Sequence, residues 1–243
     1  MRRREFLRRI GALTLLTQPW LLREAQAADL PTEVAGVQLP HSPLALRAVD
    51  FARSRWPDFL FNHCMRTYLF GALLLDRQKR AYRTEDAFVA AMFQDSGLLP
   101  GFESPKGSFE VDGADTAERW VRQNGGSKTQ ATRVWYAVEM HDGDWALPLR
   151  LGPEAMLVYL GAGADVDGPN PGDIEARQIE EVLGAFPRLN FKQRFTELLV
   201  GHCLRKPDSQ GATWLESLCR EHSPHPAPND AIEREIANAP FSE

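Results

Sequence analysis

The chain has 243 residues, of which 43% are hydrophobic and 25% are charged, and its formal net charge is −5. This composition excludes a disordered chain and a multi-span membrane protein. The length favours one large domain with a single core.

Residues 1–27 have the pattern of an export signal. Arg residues crowd the first nine positions, residues 10–22 are mostly apolar, and Ala25-Gln26-Ala27 is typical of a cleavage site. The alternative is a basic N-terminal helix of the mature fold. Because the apolar run is short and contains Gln18 and Pro19, it does not favour a stable membrane anchor.

The segment RREFLR at residues 3–8 is more specific, since it resembles the R-R-x-F-L-K pattern of twin-arginine export signals. We therefore expect a periplasmic or otherwise exported protein that meets the export machinery and is cleaved near Ala27. The signal holds six of the 28 basic and two of the 33 acidic residues, so 22 and 31 remain and the net charge becomes −9. Such an acidic chain is not expected to bind nucleic acid.

The three cysteines are Cys64, Cys203 and Cys219. Their spacings match no zinc-binding pattern. In an oxidising compartment a bridge between Cys203 and Cys219 is one interpretation, and free buried cysteines are the other.

The elements after the signal begin with an extended, Pro-punctuated lead-in at residues 28–40. Ser42, followed by Pro43, predicts the start of a helix. A second helix is expected from Asp58 to about Arg80, and the apolar spacing places His63 on its buried stripe. A histidine there is either a satisfied core residue or a ligand.

The next helix carries two polar side chains at its end. Thr84 is expected to cap it, and an apolar run leads to the pair Gln94-Asp95. Gly97 is expected to end the helix in the left-handed conformation. The alternative for the pair is ordinary solvated residues before a glycine.

A long loop is expected between Leu98 and Gly113, as a lid or rim, with an acidic turn at Glu110 that either lines a pocket or lies on the surface. Asp115 and Glu118 resemble a capping box that opens a helix to about Asn124.

The following helix is expected to begin at Ser127 and to place His141 on an inward face, before a polar turn. Another begins at Pro153 and ends in small residues at 161–164, which allow close helix contact just before Asp165. Asp165 is either a site residue or a capping Asp.

Three further helices are expected at residues 173–186, 191–204 and 211–221, before a Pro-rich tail. Without a persuasive alternating strand, the fold class is all-α.

The residues His63, Asp95 and Asp165 come from three different helices with plausible inward faces. One imidazole and two carboxylates can hold one divalent ion in a helical bundle and leave positions for water. A bound ion lowers the pKa of such a water and makes it a nucleophile.

Several motifs occur together in a recognisable order. They are PDFLFNHCMRTYLFGALLL, AAMFQDSGL, SFEVDGADTAERW, AVEMH and LGAGADVDG. Together they resemble the HD-domain superfamily, and most closely its cyanamide hydratase-like branch. The resemblance extends over residues 41–223, and residues 224–243 form the Pro-rich tail. The resemblance implies an HD-domain helical bundle that binds a divalent metal through His63, Asp95 and Asp165. It also implies a catalytic role for Asp95 and a catalytic or substrate-orienting role for His141.

Gln94 stands where the pair's His is expected from that resemblance. An amide oxygen is a weaker, neutral ligand, so the preference shifts from zinc toward iron or manganese, or the metal is lost. Gln94 is then a weak ligand or, with Arg66, a substrate-binding residue.

Two functions remain open from the sequence. The first is an exported metal-dependent hydrolase or hydratase acting on a nitrile-like, cyanamide-like or phosphoester small molecule. Few basic residues accompany the expected ligands, which favours an uncharged substrate. The second is a metal-free HD-fold protein that binds a small ligand and has lost catalysis through Gln94.

Overall fold

The fold is taken from a computed structural model, which describes residues 30–207, 209 and 214–222. The expected export signal and the C-terminal tail lie outside these described residues. The first two residues of the lead-in also lie outside them.

The described part of the chain is all-α, as predicted, with one small hairpin. The helices are α1 (Pro43–Arg53), α2 (Asp58–Arg77), α3 (Thr84–Phe93), α4 (Phe109–Gln123), α5 (Lys128–Glu139), α6 (Ala146–Leu151), α7 (Pro153–Val166), α8 (Ala176–Ala185), α9 (Phe191–Arg205) and α10 (Glu216–His222). A 3₁₀ turn at Ser96–Leu98 follows α3. Within the described ranges, none of the helices combines the length and apolar character that a membrane span requires.

The hairpin lies in the lead-in that was expected to be extended without pairing. Strand β1 (Glu33–Val34) pairs antiparallel with β2 (Val37–Gln38). Ala35 and Gly36 between them both have positive φ, the backbone of a tight two-residue turn. The strands are two residues long, which is too short to give an alternating pattern.

Two helix starts were predicted correctly from capping serines. Ser42 Oγ accepts a hydrogen bond from the Ala45 amide at 3.2 Å, and Ser127 Oγ accepts one from the Gln130 amide at 3.1 Å. Each bond satisfies a backbone donor that has no partner inside its helix.

The predicted start of α4 was wrong. The helix begins at Phe109 after the N-cap Ser108, so Asp115 lies inside the helix and the preceding loop is shorter than expected. Glu110 therefore lies in the first helical turn, where it is buried, and not in a surface loop. Thr84 likewise is the first residue of α3 and makes no capping bond.

Gly97 is needed because another part of the backbone approaches it closely. The left-handed conformation predicted for it is not observed. It lies in the 3₁₀ turn, outside the set of glycines with positive φ. A Cβ at this position would meet the Phe109 carbonyl oxygen at 2.0 Å. The start of α4 thus packs directly on the turn that follows α3.

Helices α2 and α7 form the tightest packing, also through glycine. A Cβ on Gly161 would meet the Thr67 carbonyl oxygen at 1.9 Å, and one on Gly71 would meet the Leu157 carbonyl oxygen at 2.2 Å. The expected close contact before Asp165 is therefore confirmed at Gly161. Gly163 has no neighbour within 4 Å of its Cβ position and plays no part in it.

Helix α3 lies inside the molecule, with every residue from Asp86 to Phe93 buried. A helix that is apolar on all sides is stable only when other elements surround it. It delivers Gln94 and Asp95 into the interior, close to α2 and α7.

Candidate functional site

The three predicted ligand residues come together where α2, α3 and α7 meet. His63 and Arg66 lie one helical turn apart on α2, Asp95 follows α3, and Asp165 lies near the end of α7. These four side chains are almost completely buried. Their burial confirms the inward faces expected for His63, Asp95 and Asp165.

His63 lies between the two carboxylates. Its Nδ1 is 2.7 Å from Oδ2 of Asp165, and its Nε2 is 3.0 Å from Oδ2 of Asp95. Phe191 stacks on the imidazole, with ring centroids 4.8 Å apart. Burial alone lowers the pKa of His63, but the hydrogen bonds to Asp165 and Asp95 outweigh it and raise this pKa.

Asp165 is held by two arginines as well. Arg66 donates from Nε to Oδ1 and from Nη2 to Oδ2, both at 2.8 Å, and Arg188 donates from Nη1 to Oδ1 at 2.8 Å. Burial opposes ionisation of Asp165, but His63 and Arg66 keep its pKa well below the usual range. Both carboxylate oxygens are therefore fully engaged.

Arg66 also fixes the backbone around Pro187. Its Nη1 donates to the carbonyl oxygens of Phe186 and Pro187 at 3.1 and 3.2 Å. Arg188 adds a bond to the Asp165 carbonyl at 2.9 Å. Arg66 thus ties the segment between α8 and α9 to the interior.

Gln94 contacts His63 from the end of α3. Its Nε2 lies 3.0 Å from Nε2 of His63 and 2.9 Å from Oγ1 of Thr67, and its Oε1 is buried without a partner among the described residues. Nε2 of Gln94 also lies 3.4 Å from Oδ2 of Asp95. Both ring nitrogens of His63 already have carboxylate acceptors, in Asp165 and Asp95. Gln94 therefore packs beside an imidazole that the two carboxylates hold in place.

His141 reaches the same place from the end of α5. Its Nδ1 donates to the Val138 carbonyl at 2.6 Å, and its Nε2 lies 3.5 Å from Oδ1 of Asp95 and 3.8 Å from Oδ2 of Asp142. Burial lowers the pKa of His141, but the Asp142 charge and the contact with Asp95 outweigh it and raise this pKa to about 10.

Asp95 is thus placed between two imidazoles. Burial raises its pKa, yet the bonds with His141 and His63 hold it well below the usual range. Asp95 stays ionised at neutral pH and is a weak base there. An ionised carboxylate in this position can orient and stabilise the two imidazoles.

A cavity of about 660 Å³ opens onto this cluster. Its polar lining consists of His63, Asp95, His141 and Asp142 at this cluster, together with Gln78, Asp167, Asn170 and Asp173. Apolar and small side chains of α7, together with Phe195 and Trp214, form much of the wall, a combination typical of small-molecule sites. Arg66 and Gln94 lie behind this surface, outside the set of lining residues. Their substrate-binding roles stay predictions.

The arrangement does not fit the expected metal ion. His63 directs opposite ring nitrogens at Asp95 and Asp165, so one ion cannot bind both carboxylates and this imidazole together. Asp165 already accepts from two guanidinium groups. Across the described residues, no group of three or more His, Cys, Asp or Glu side chains is positioned to hold a metal. The ion stays a prediction of the sequence.

Two site residues, Arg188 and Asp142, were not identified from the sequence, and for Glu110 the sequence left open whether it lines a pocket or lies in a surface turn. Arg188 lies in an irregular segment, in which Leu189 and Asn190 have positive φ. No periodic sequence pattern predicts the structure of such a segment. Asp142 was noted only as part of a polar turn. The buried position of Glu110 depended on the correct start of α4.

Cysteine chemistry lies apart from this cluster. Cys203 and Cys219 form a disulfide, which confirms one of the two interpretations. Cys64 is free and buried, and burial raises the pKa of its thiol well above the usual value. It is unsuited to act as a nucleophile.

Neither protein-family models nor curated proteins gave a match to this chain. The function of the chain is therefore inferred from the geometry and charges of its site.

Proposed function

We propose that this chain is a hydrolase or hydratase that adds water to a small uncharged molecule bound in the cavity at His63, Asp95 and His141. The observation that carries the proposal is the grouping of these buried ionisable side chains at one end of a cavity of about 660 Å³. Burying a charged group is energetically unfavourable, and a concentration of such groups in a cleft is typical of active sites.

An uncharged substrate is favoured over a phosphoester by the charges at the cavity. None of the described residues that line it is a Lys or Arg. Arg66 and Arg188 pair with Asp165, so neither guanidinium is directed at the cavity. A phosphate group normally requires such charged donors.

His63, Asp95 and His141 form what we call the cavity floor, which offers a donor and an acceptor side by side. His141 and Asp95 both line the cavity, and Nε2 of His141 lies 3.5 Å from Oδ1 of Asp95. A nitrile-like or carbonyl-like substrate can accept a hydrogen bond from an imidazole N–H while the carboxylate orients a water molecule. Positioning of this kind supplies much of the rate enhancement of hydration reactions.

Binding without chemistry is the second candidate function. It is favoured by the saturation of the floor, since His63 and Asp165 already satisfy each other and their neighbours. A floor of this kind can recognise a ligand yet leave no base free to activate water. Turnover separates the two candidates.

We also propose that the chain acts outside the cytoplasm. The disulfide between Cys203 and Cys219 supports this, because such bridges persist in oxidising compartments. The twin-arginine-like segment at residues 3–8 supplies a route.

The test is a substrate screen with residues 28–243, followed by NMR. Cyanamide and simple nitriles are the probes, and p-nitrophenyl phosphate tests the phosphoester class. The variant Asp95→Asn is expected to lose turnover by about 100-fold or more. Asp86→Asn is a matched control, because Asp86 is equally buried but pairs with Arg133 away from the cavity.

Turnover of an uncharged probe that survives in Asp86→Asn and is lost in Asp95→Asn supports the proposal. Saturable binding without turnover assigns the chain to the binding class. Hydrolysis of the phosphoester alone would overturn the substrate class.

A further inference from the structure

Glu110 is a buried carboxyl group that the cavity floor does not use directly. It lies in the first turn of α4, beside the N-cap Ser108, and is 4% exposed. Its Oε2 is buried and meets no donor within the described residues. A buried carboxylate oxygen without a donor is unfavourable unless the group carries a proton.

Asp142 supplies the explanation. Glu110 and Asp142 interact closely enough for each to shift the pKa of the other. Two ionised carboxylates side by side repel each other, whereas a proton on Oε2 of Glu110 would turn this unpartnered atom into a donor to Asp142. The Trp214 indole N–H also donates to Oδ2 of Asp142. One proton and one negative charge on the pair would satisfy all of these groups.

The surroundings of the pair explain why one negative charge is tolerated. Five groups face the pair. The cation is His141, the two further carboxyl groups are Glu139 and Asp95, and the two neutral donors are Ser108 and the Trp214 indole. The cation lowers the energy of the single charge. The carboxyl groups oppose a second charge.

The pair reaches the cavity through Asp142. Asp142, His141 and Trp214 line the cavity, and Glu110 lies behind them. Asp142 can thus touch a bound molecule, while Glu110 acts through Asp142. The pair differs from the cavity floor in its acid–base properties. On the floor, Asp95 is a weak base, and His63 and His141 are acids that pair with carboxylates.

We propose that Glu110 and Asp142 share one proton at the cavity wall, and that this pair is the proton donor and acceptor of the site. The inference rests on the proposed hydrolase or hydratase function. Asp142 is the catalytic residue, and Glu110 is the positioning residue that stores the proton.

The proton balance of a hydration step fits such a pair. As the oxygen of water forms a bond to the substrate carbon, one π bond of the substrate breaks. The pair gives its proton to the substrate atom that receives the π electrons and takes one proton from the water. One proton enters and one leaves, so the pair ends as it began.

The acidity of Glu110 agrees with this role. Burial and the Asp142 charge raise its pKa to about 7, and burial raises the pKa of Asp142. A group that titrates near neutral pH is close to ideal for passing protons in both directions.

The direct test is infrared spectroscopy of the substrate-free protein. In wild type, we expect the carbonyl band of one protonated carboxyl group to disappear as the pH rises through about 7. Glu110→Gln and Asp142→Asn should each lose this band, and their amides can still donate to the remaining carboxylate. Glu154→Gln is the control, since Glu154 is equally buried but accepts from the Arg83 amide at 2.7 Å.

A titrating band that persists in both Glu110→Gln and Asp142→Asn would overturn the proposal, as would a wild type without any such band. The wild-type result needs no variant and is therefore independent of folding. It is also independent of the substrate, so a failed substrate screen counts against the proposed function alone.

Kinetics with any probe that turns over test the catalytic part. Glu110→Gln should lower kcat by about 100-fold, leave KM nearly unchanged and remove the limb of the pH profile near neutral pH. A merely structural role for Glu110 would lower activity without moving the profile. An unmoved profile would therefore overturn the proposal.

Discussion

Arg66 donates to both carboxylate oxygens of Asp165, from Nε and from Nη2, with both distances at 2.8 Å. Neither side chain is exposed. The bidentate geometry places a guanidinium plane against the carboxylate, an arrangement that lysine cannot reproduce.

Arg66→Met should lower the free energy of unfolding by about 3 to 5 kcal/mol, because it leaves a buried charge without its main partner. Arg177→Met is the control, since Arg177 pairs with Glu181 at 2.7 Å on the surface. It should leave the stability nearly unchanged, because an exposed ion pair contributes little. Urea denaturation measures both, and equal effects would show that Asp165 does not depend on Arg66.

Gly161→Ala should destabilise the fold strongly, because the added methyl group would lie 1.9 Å from the Thr67 carbonyl oxygen. We expect a loss of at least about 3 kcal/mol, from overpacking between α2 and α7. The control is Gly163→Ala on the same helix, where nothing lies within 4 Å. It should be neutral or stabilising by up to about 1 kcal/mol. Thermal denaturation of the two variants distinguishes them, and a similar Tm for both would contradict the packing.

The apolar periodicity of α2 was enough to predict that His63 faces inward, since a helix stripe is a local property. The same holds for Asp95 at the end of an apolar helix and for Asp165 after small residues. The polar partners of these residues were not local. Arg188 contacts Asp165 from an irregular segment, and only the folded chain brings the two together.

The start of α4 shows a second limit. Ser108 and Asp115 both precede plausible helical turns, and capping patterns alone do not choose between them. The choice depends on Gly97, whose missing side chain lets the Phe109 carbonyl approach. That contact joins residues far apart in the sequence, so the burial of Glu110 could not be derived from local pattern.

Metal content tests the arrangement around Asp165. Purified without added metal or chelator, the wild type should hold far less than one ion per chain, because His63 and Asp165 are fully engaged. Gln94→His should remain substoichiometric for the same reason. Elemental analysis decides both. A filled wild type would overturn this description of the site, and a filled variant alone would show that Gln94 is the sole obstacle to binding.

The disulfide between Cys203 and Cys219 should stabilise the chain through its loop, which spans a sequence separation of 16 residues. Replacing both cysteines by serine should lower the free energy of unfolding by about 2 to 4 kcal/mol. Because α10 begins two residues after Trp214, the variant should also weaken the contact between Trp214 and Asp142. Denaturation with and without reductant measures the effect. Reductant should not affect the serine variant, and a wild type indifferent to reductant would contradict the prediction.

Stability should fall in acid because of His202, which is buried at the end of α9. Burial and the charges of Lys206 and Arg205 lower the pKa of His202 to about 4. The folded state therefore prefers the neutral ring, while the unfolded chain takes up a proton at the ordinary value of about 6.5. The stabilising contribution is complete above that ordinary value and is lost as the pH falls from about 6.5 to about 4. The full pKa shift corresponds to about 3 kcal/mol, and solvent screening reduces it, so over this range wild type should lose about 1 to 2 kcal/mol relative to His202→Gln. His222→Gln, at an exposed position of α10, is the control and should follow the wild type. Urea denaturation at several pH values gives the difference, and parallel curves for wild type and His202→Gln would show that His202 is not held neutral.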